Sequence, residues 1–265
     1  MKKRRTSPIL TQIISLFICI LLVHVVWASV IRPNARVVLE ERKVLAEQDE
    51  DFSAERSIWV TLKDWEQESC VILMFWALAL MGGKVLQARR ERRILSQDLV
   101  KIPEGVSVLP EDAREYMRTV QSLPENTREQ LLPRAVMIAL QRFESTHAVQ
   151  NASEAVRNLC DGEADRLDSE LAMIRYITWA IPSIGFIGTV RGIGEALGKA
   201  YEAVQGNIVG VTESLGVAFN STFVALVISI MIMFFVQQLQ RYQEEIVIDT
   251  ESWCDENLLR HLQVR

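Results

Sequence analysis

Four long apolar runs separated by charged stretches set the plan of this chain. They occupy residues 9–31, 69–87, 173–197 and 214–237, each close to or above the ~20 residues a helix needs to cross the hydrocarbon core of a bilayer. The pattern predicts an all-α integral membrane protein with four transmembrane helices, and long helices extending from the membrane into a helical domain. Between the second and third runs, residues 88–172 are punctuated by Pro103, Pro110, Pro124 and Pro133, which start or end helices rather than sit inside them. Past Pro133, Val136, Leu140 and Phe143 share one helical face. Cys160, Ala164, Leu167, Leu171 and Ile174 then follow steps of four and three, so one long helix should continue into the third run. The segment 238–265, with Ile246, Ile248, Trp253 and Leu258 among acids, reads as a helical tail packed on the same bundle. No strand-like alternation and no internal repeat competes.

Lysine and arginine orient the spans. Lys2, Lys3, Arg4 and Arg5 precede the first run, Lys84, Arg89, Arg90, Arg92 and Arg93 close the second, and Arg241 follows the fourth. By the positive-inside rule, residues 1–8, 88–172 and 238–265 are cytoplasmic, while 32–68 and 198–213 lie on the outer side of the membrane, with both termini in the cytoplasm. Trp59 and Trp65 sit where indole rings collect at a membrane interface. The first run exceeds the short apolar region of a cleaved signal peptide and reads as a retained helix; small Ala28 and Ser29 keep a cleavable signal open as the alternative. Residues 32–68, rich in Glu and Asp, form an outside loop that is partly helical and amphipathic.

Composition narrows the class. With 49% hydrophobic and 24% charged residues, the chain is part span and part aqueous domain. A net charge of -5 lacks the basic footprint of a nucleic-acid binder, so no nucleic acid is expected as a partner. The four cysteines, Cys19, Cys70, Cys160 and Cys254, have neither metal-type nor disulfide-framework spacing and read as reduced. His24, His147 and His261 are scattered, and no nucleophile stands beside a base. An enzyme is therefore not expected, nor a bound cofactor or metal.

The third and fourth runs carry residues that lipid does not ask for. Ile181 to Gly192 contains Pro182, Gly185, Gly188, Thr189 and Gly192, and such residues persist in a bilayer mainly where they face other helices or a water path. Gly188 and Gly192 are four apart, as are Gly194 and Gly198, a spacing that lets a second backbone approach closely. Thr189 lies on the face of Pro182 and Gly185, where its hydroxyl can bond a carbonyl of its own helix, a water or a passing ion. In the fourth run Ala218, Thr222, Ala225 and Ser229 form a small, weakly polar stripe, while Phe219, Phe223, Leu226 and Ile230 crowd another side. Asn220 and Ser221 add polarity at the same depth, and an amide in hydrocarbon must be paired or wetted. Arg191 and Glu195, one helical turn apart, either pair with each other or stand at a channel mouth.

In these two patches the chain resembles the MotA/TolQ/ExbB proton-channel family. Pro182 followed by Gly185, Gly188, Thr189, Val190, Gly192 and Ile193 is similar to the family's glycine-threonine motif, and Asn220–Leu226, with Thr222, to the threonine-bearing start of its last helix. The order of elements, two spans, a large cytoplasmic region, two spans and a tail, also agrees. Ala225 stands where the family often has glycine, a second proline late in the last span is absent, and the pair Asn220-Ser221 is unusual. Glu213 is about one turn too far from Thr222 to take the role of the glutamate at the head of the family's last helix.

The resemblance implies a channel or stator subunit of an ion-motive-force-driven motor in the bacterial inner membrane. It further implies a homo-oligomer, a pentamer, around two copies of a single-span partner resembling MotB/TolR/ExbD, whose aspartate carries the transported H+ or Na+. Thr189 and Thr222, with Asn220 and Ser221, would then be the polar wall of the ion pathway. Pro182, Gly185, Gly188, Gly192, Ala218 and Ala225 would shape the helices around it. A non-conducting membrane scaffold that organises a partner complex is the alternative.

Overall fold

The computed structural model describes residues 8–48, 57–97, 99–100, 102–103, 106–206 and 208–263. Lys2, Lys3, Arg4, Arg5 and part of the acidic stretch 32–68, residues 49–56, lie outside the described residues. The elements in chain order are α1 (Pro8–Val26), a π-helical segment (Trp27–Ile31), α2 (Arg32–Gln48), α3 (Ile58–Leu62), α4 (Trp65–Leu95), α5 (Ala113–Gln121) and α6 (Glu125–Arg128). They continue with α7 (Leu131–Thr146), α8 (Val149–Gly198), α9 (Ala200–Val204), α10 (Val209–Asn257) and a short 3₁₀ turn (Leu259–His261). The fold is all-α, and four of its helical stretches are long and apolar enough to cross a membrane: Leu10–Glu41, Trp65–Leu95, Val149–Gly198 and Val209–His261.

By contacts the chain divides into two compact units, Met1–Met81 with Met173–Val236, and Gly82–Ala172 with Gln237–Arg265. In the first unit α1 lies along α4, where the Trp76 indole donates to Ser15 Oγ at 3.0 Å, and the Trp27 indole of the π-helical segment donates to the Leu62 carbonyl of α3 at 2.9 Å. Val23, Trp27 and Ile31 pack with Leu62, Val71 and Ile72 along that line. The helix does not stop at residue 31. Pro33, which has no N–H to donate back, follows directly on the π-helical turn Trp27–Ile31, and the Ala, Arg, Glu and Leu residues that follow are good helix formers.

α8 runs unbroken from Val149 to Gly198, with Pro182 inside it. Within the first unit its later part faces α10, where Ser229 Oγ donates to the Thr178 carbonyl at 3.1 Å. Ala218, Ala225 and Ser229 are buried on that side, whereas Phe219, Phe223 and Ile230 point away from it and are exposed. Exposed aromatic and branched side chains on a span are what lipid accepts.

The second unit is built on a different core. α7 buries Leu132, Ala135, Val136, Ala139, Leu140 and Phe143; α8 adds Val156 and Cys160, and the tail of α10 adds Val247, Cys254 and, just beyond it, Leu258. Pro110 and Pro124 stand just before α5 and α6, and Pro133 occupies the first turn of α7. Val136, Leu140 and Phe143 thus form one buried face, as their spacing predicts. In the tail Ile246 and Leu258 are buried, but Ile248 is 61% exposed, so the packed stripe skips it. All four cysteines are free.

Candidate ion pathway between the last two spans

The seam between α8 and α10 is set by what is missing from it. A Cβ added to Gly188 would lie 2.3 Å from Ser221 Oγ, one on Gly185 2.6 Å from Ala225 Cβ, and one on Gly192 2.6 Å from the Ala218 backbone nitrogen. No side chain fits at any of the three, so glycine there is what lets the two backbones touch. Gly194 and Gly198 differ: nothing lies within 4 Å of a Cβ added to either, so the second glycine pair makes no seam among the described residues. The reason is angular, since Gly194 is six residues beyond Gly188 and points away from α10.

Close approach brings hydroxyls together. Thr189 Oγ1 and Thr222 Oγ1 are hydrogen-bonded to each other across the seam. Thr189 Oγ1 also reaches the Ala218 carbonyl at 3.1 Å and the Gly185 carbonyl at 3.3 Å, and Thr222 Oγ1 reaches the Gly185 carbonyl at 3.1 Å. Ser221 Oγ donates to the Ala218 carbonyl at 3.0 Å. Two threonine protons thus face three acceptors, the two carbonyls and the opposite hydroxyl, and the set can shift its bonds without moving a helix. The back-bond of Thr189 within its own helix exists, but it is the longest of these contacts. Of the expected polar positions, Thr189, Thr222 and Ser221 meet; Asn220 is half-buried and takes no part in these bonds. Pro182 is half-buried within α8, and Ala218 and Ala225 form the floor beneath the glycines.

Charge gathers at the other end of the same seam. Arg191 Nε donates to Glu66 Oε1 at 2.6 Å and its Nη2 to Glu66 Oε2 at 3.0 Å, a two-pronged clamp between α8 and α4. Arg191 also bonds Glu195 at 3.0 Å, so the expected turn-neighbour pair exists but is the minor arm. Glu66 is fully buried. Two residues on, Glu68 accepts from Arg32 at 2.6 Å and meets His24 Nδ1 at 2.6 Å. Between them Gln67 is fully buried, and neither of its amide atoms has a partner among the described residues. Just before α4, burial pushes the Asp64 carboxyl above the ordinary carboxylate range, against the pull of Lys63 and Arg191. Sequence reasoning missed Glu66, Gln67, Glu68 and Arg32. An acidic first turn reads as helix-dipole complement, and nothing local marks a partner far away in the chain.

Fold and seam together define a multi-pass, all-α membrane protein whose last two spans are joined by small residues and a threonine pair. A model of the MotA/TolQ/ExbB proton channel family matches residues 127–252, which include both patches, and that match supports membership of the family. No curated protein and no solved structure matches the chain. Membership implies a role of the proton-channel or stator type, in a family of channels rather than enzymes whose members act with partner proteins in membrane complexes.

Proposed function

We propose that this protein is the channel subunit of an ion-motive-force-driven motor, and that Thr189 and Thr222 form the polar station past which the ion moves. Five copies surround the single transmembrane helices of two copies of a smaller partner, in the inner membrane of a bacterium with both termini cytoplasmic. The partner's aspartate carries the proton or sodium ion. An ionised carboxylate is costly in low dielectric, so its helix turns past apolar wall only when neutralised and recharges where hydroxyls and water can solvate it. The paired hydroxyls, flanked by Ser221 and Asn220, suit that station because they bond a carboxyl in either state, donating to the charged form and accepting from the neutral one.

The observation that carries this reading is the hydroxyl pair at the glycine seam. Valine matches threonine in shape but cannot hydrogen-bond. With the complex purified through a tag on this chain and placed in proteoliposomes, Thr189→Val and Thr222→Val should each cut ion uptake at least ~10-fold, the cost of about 1.4 kcal/mol in a barrier. Assembly with the partner should be unchanged. Full uptake in the double variant overturns the reading and leaves the scaffold alternative; running the assay in proton and in sodium gradients separates the two ions.

A further inference from the structure

Pro182 lies inside α8 and carries no N–H. The carbonyl four residues back, that of Thr178, therefore loses the donor a regular helix would give it, and the proline ring crowds it as well. Within a membrane span such a carbonyl is costly until a side chain or a neighbouring helix supplies a donor. The hydroxyls nearest in sequence are engaged elsewhere. Thr178 Oγ1 donates to the Arg175 carbonyl at 2.6 Å, and Ser183 Oγ to the Trp179 carbonyl at 2.9 Å. The donor comes from the other helix: Ser229 Oγ of α10 bonds the Thr178 carbonyl at 3.1 Å, and both residues are buried.

The match between donor and acceptor is specific. A helical serine commonly turns back on a carbonyl three or four residues earlier in its own helix, as Ser15, Ser29, Ser69, Ser183 and Ser214 do in this chain. Ser229 does not: among the described residues its hydroxyl bonds across to α8 instead. It stands about two turns along α10 from Thr222, whose Oγ1 reaches the Gly185 carbonyl at 3.1 Å. Helix α10 thus grips the backbone of α8 at Thr178, before the proline, and at Gly185, after it. The turn that Pro182 weakens is bridged from outside.

We propose that Ser229 is a positioning residue of the ion pathway: its hydroxyl stands in for the N–H that Pro182 lacks and splints α8 against α10, which holds the Thr189 hydroxyl opposite that of Thr222. A proline is where a long helix bends. Without the splint α8 gives at Pro182, and Thr189, two turns beyond that joint, swings while Thr222 stays with α10. Hydrogen bonds weaken steeply with misalignment, so a small swing parts the threonine pair. Ser229 makes no hydrogen bond to either threonine and acts through the backbone of α8. The geometry of the splint stands by itself; its consequence for ion movement rests on the channel reading.

Solid-state NMR of the full-length protein in lipid tests the splint directly. Thr178–Trp179 is the sole Thr-Trp step in the chain, so isotope labels on the threonine carbonyl and the tryptophan nitrogen isolate the Thr178 carbonyl. Ser229→Ala should move that resonance to lower frequency, the direction of a lost hydrogen bond. Adding Pro182→Ala, which gives the helix its own N–H, should bring it back toward wild type. Unfolding in detergent should follow the same cycle, with Ser229→Ala raising the unfolding constant ~10-fold in the natural background and less than ~3-fold in the Pro182→Ala background. In the proteoliposome assay Ser229→Ala should lower uptake per assembled complex at least ~5-fold with both threonines intact. Should Ser229→Ala not fold, the double variant should, because its Thr178 carbonyl has a helical donor; failure of both overturns the proposal. So does a Thr178 resonance that ignores Ser229→Ala, or an equal cost in the two backgrounds. Full uptake in Ser229→Ala where Thr189→Val blocks it removes the positioning role and leaves the channel reading standing. Full uptake in both ends the channel reading and this role with it.

Discussion

Helices α8 and α10 each pass through both units and pack by opposite rules in the two. In the first unit they meet over Gly185, Gly188, Gly192, Ala218, Ser221 and Ala225, with Phe186, Val190, Phe219 and Phe223 turned outward. In the second unit the same two helices contribute Val156, Cys160, Val247 and Cys254 to a core that also buries Phe143, Leu140 and Leu258. On the proposed topology, which puts the second unit in water, the difference is one of solvent. Lipid tails are as apolar as leucine, so burying a large side chain gains little there, and close backbone approach with interhelical hydrogen bonds does the joining. Where water is the alternative, each large apolar side chain removed from it stabilises by ~1.5–3 kcal/mol, so bulk goes inward. Two substitutions of opposite kind probe this contrast.

Phe143→Ala should be the most damaging change. The ring is fully buried in the second unit, and truncation removes its transfer free energy and leaves a void, a cost of ~3–5 kcal/mol. Denaturant unfolding followed by a probe in residues 82–172 reads it. A loss below ~1 kcal/mol would mean that the second unit does not depend on bulk, and the contrast would fail.

Gly188→Val is the mirror experiment, adding bulk where bulk is harmful. Its first carbon alone would sit 2.3 Å from Ser221 Oγ and 2.5 Å from Ser221 Cβ. The helices must part, at a cost of ~1–3 kcal/mol and with the Thr189–Thr222 bond broken. Crosslinking between cysteines placed at 184 and 226 in a background lacking the native thiols should slow accordingly, while unfolding of the second unit stays unchanged. Unaltered crosslinking would show that the seam has slack that the glycines do not reveal.

How much of this the sequence discloses depends on the range of the interaction. The spans are legible because lipid thickness fixes the length of an apolar run, and the seam is legible because Gly, Ala and Thr at steps of three and four have few other uses inside a membrane. Thr189 and Thr222 could be paired because each lies on a small-residue stripe. Glu66 could not: its partner Arg191 is 125 positions away, and Glu195, one turn from Arg191, offers a sufficient local explanation. The helix expected within 32–68 is present as α2, but its continuity with α1 through Trp27–Ile31 is not legible, because the charged residues after 31 suggest a break although Arg, Glu, Lys and Ala favour helix.

Gly194→Ala gives the smallest effect and the sharpest test of which face matters. Gly188 and Gly192 are four apart, and so are Gly194 and Gly198, and a motif search treats the pairs alike. In the structure a Cβ on Gly188 collides while one on Gly194 meets nothing within 4 Å. With no collision, the only remaining term is backbone freedom, which alanine reduces, so the folded chain should gain up to ~1 kcal/mol. Detergent unfolding of the isolated chain measures it. A loss in the isolated chain would overturn this reading of the face, since no described residue lies within 4 Å of that Cβ, whereas a contact from another molecule would show only as impaired assembly of the complex. If the isolated chain is stabilised while assembly is impaired, the two glycine pairs serve two seams, the first within one chain and the second between chains.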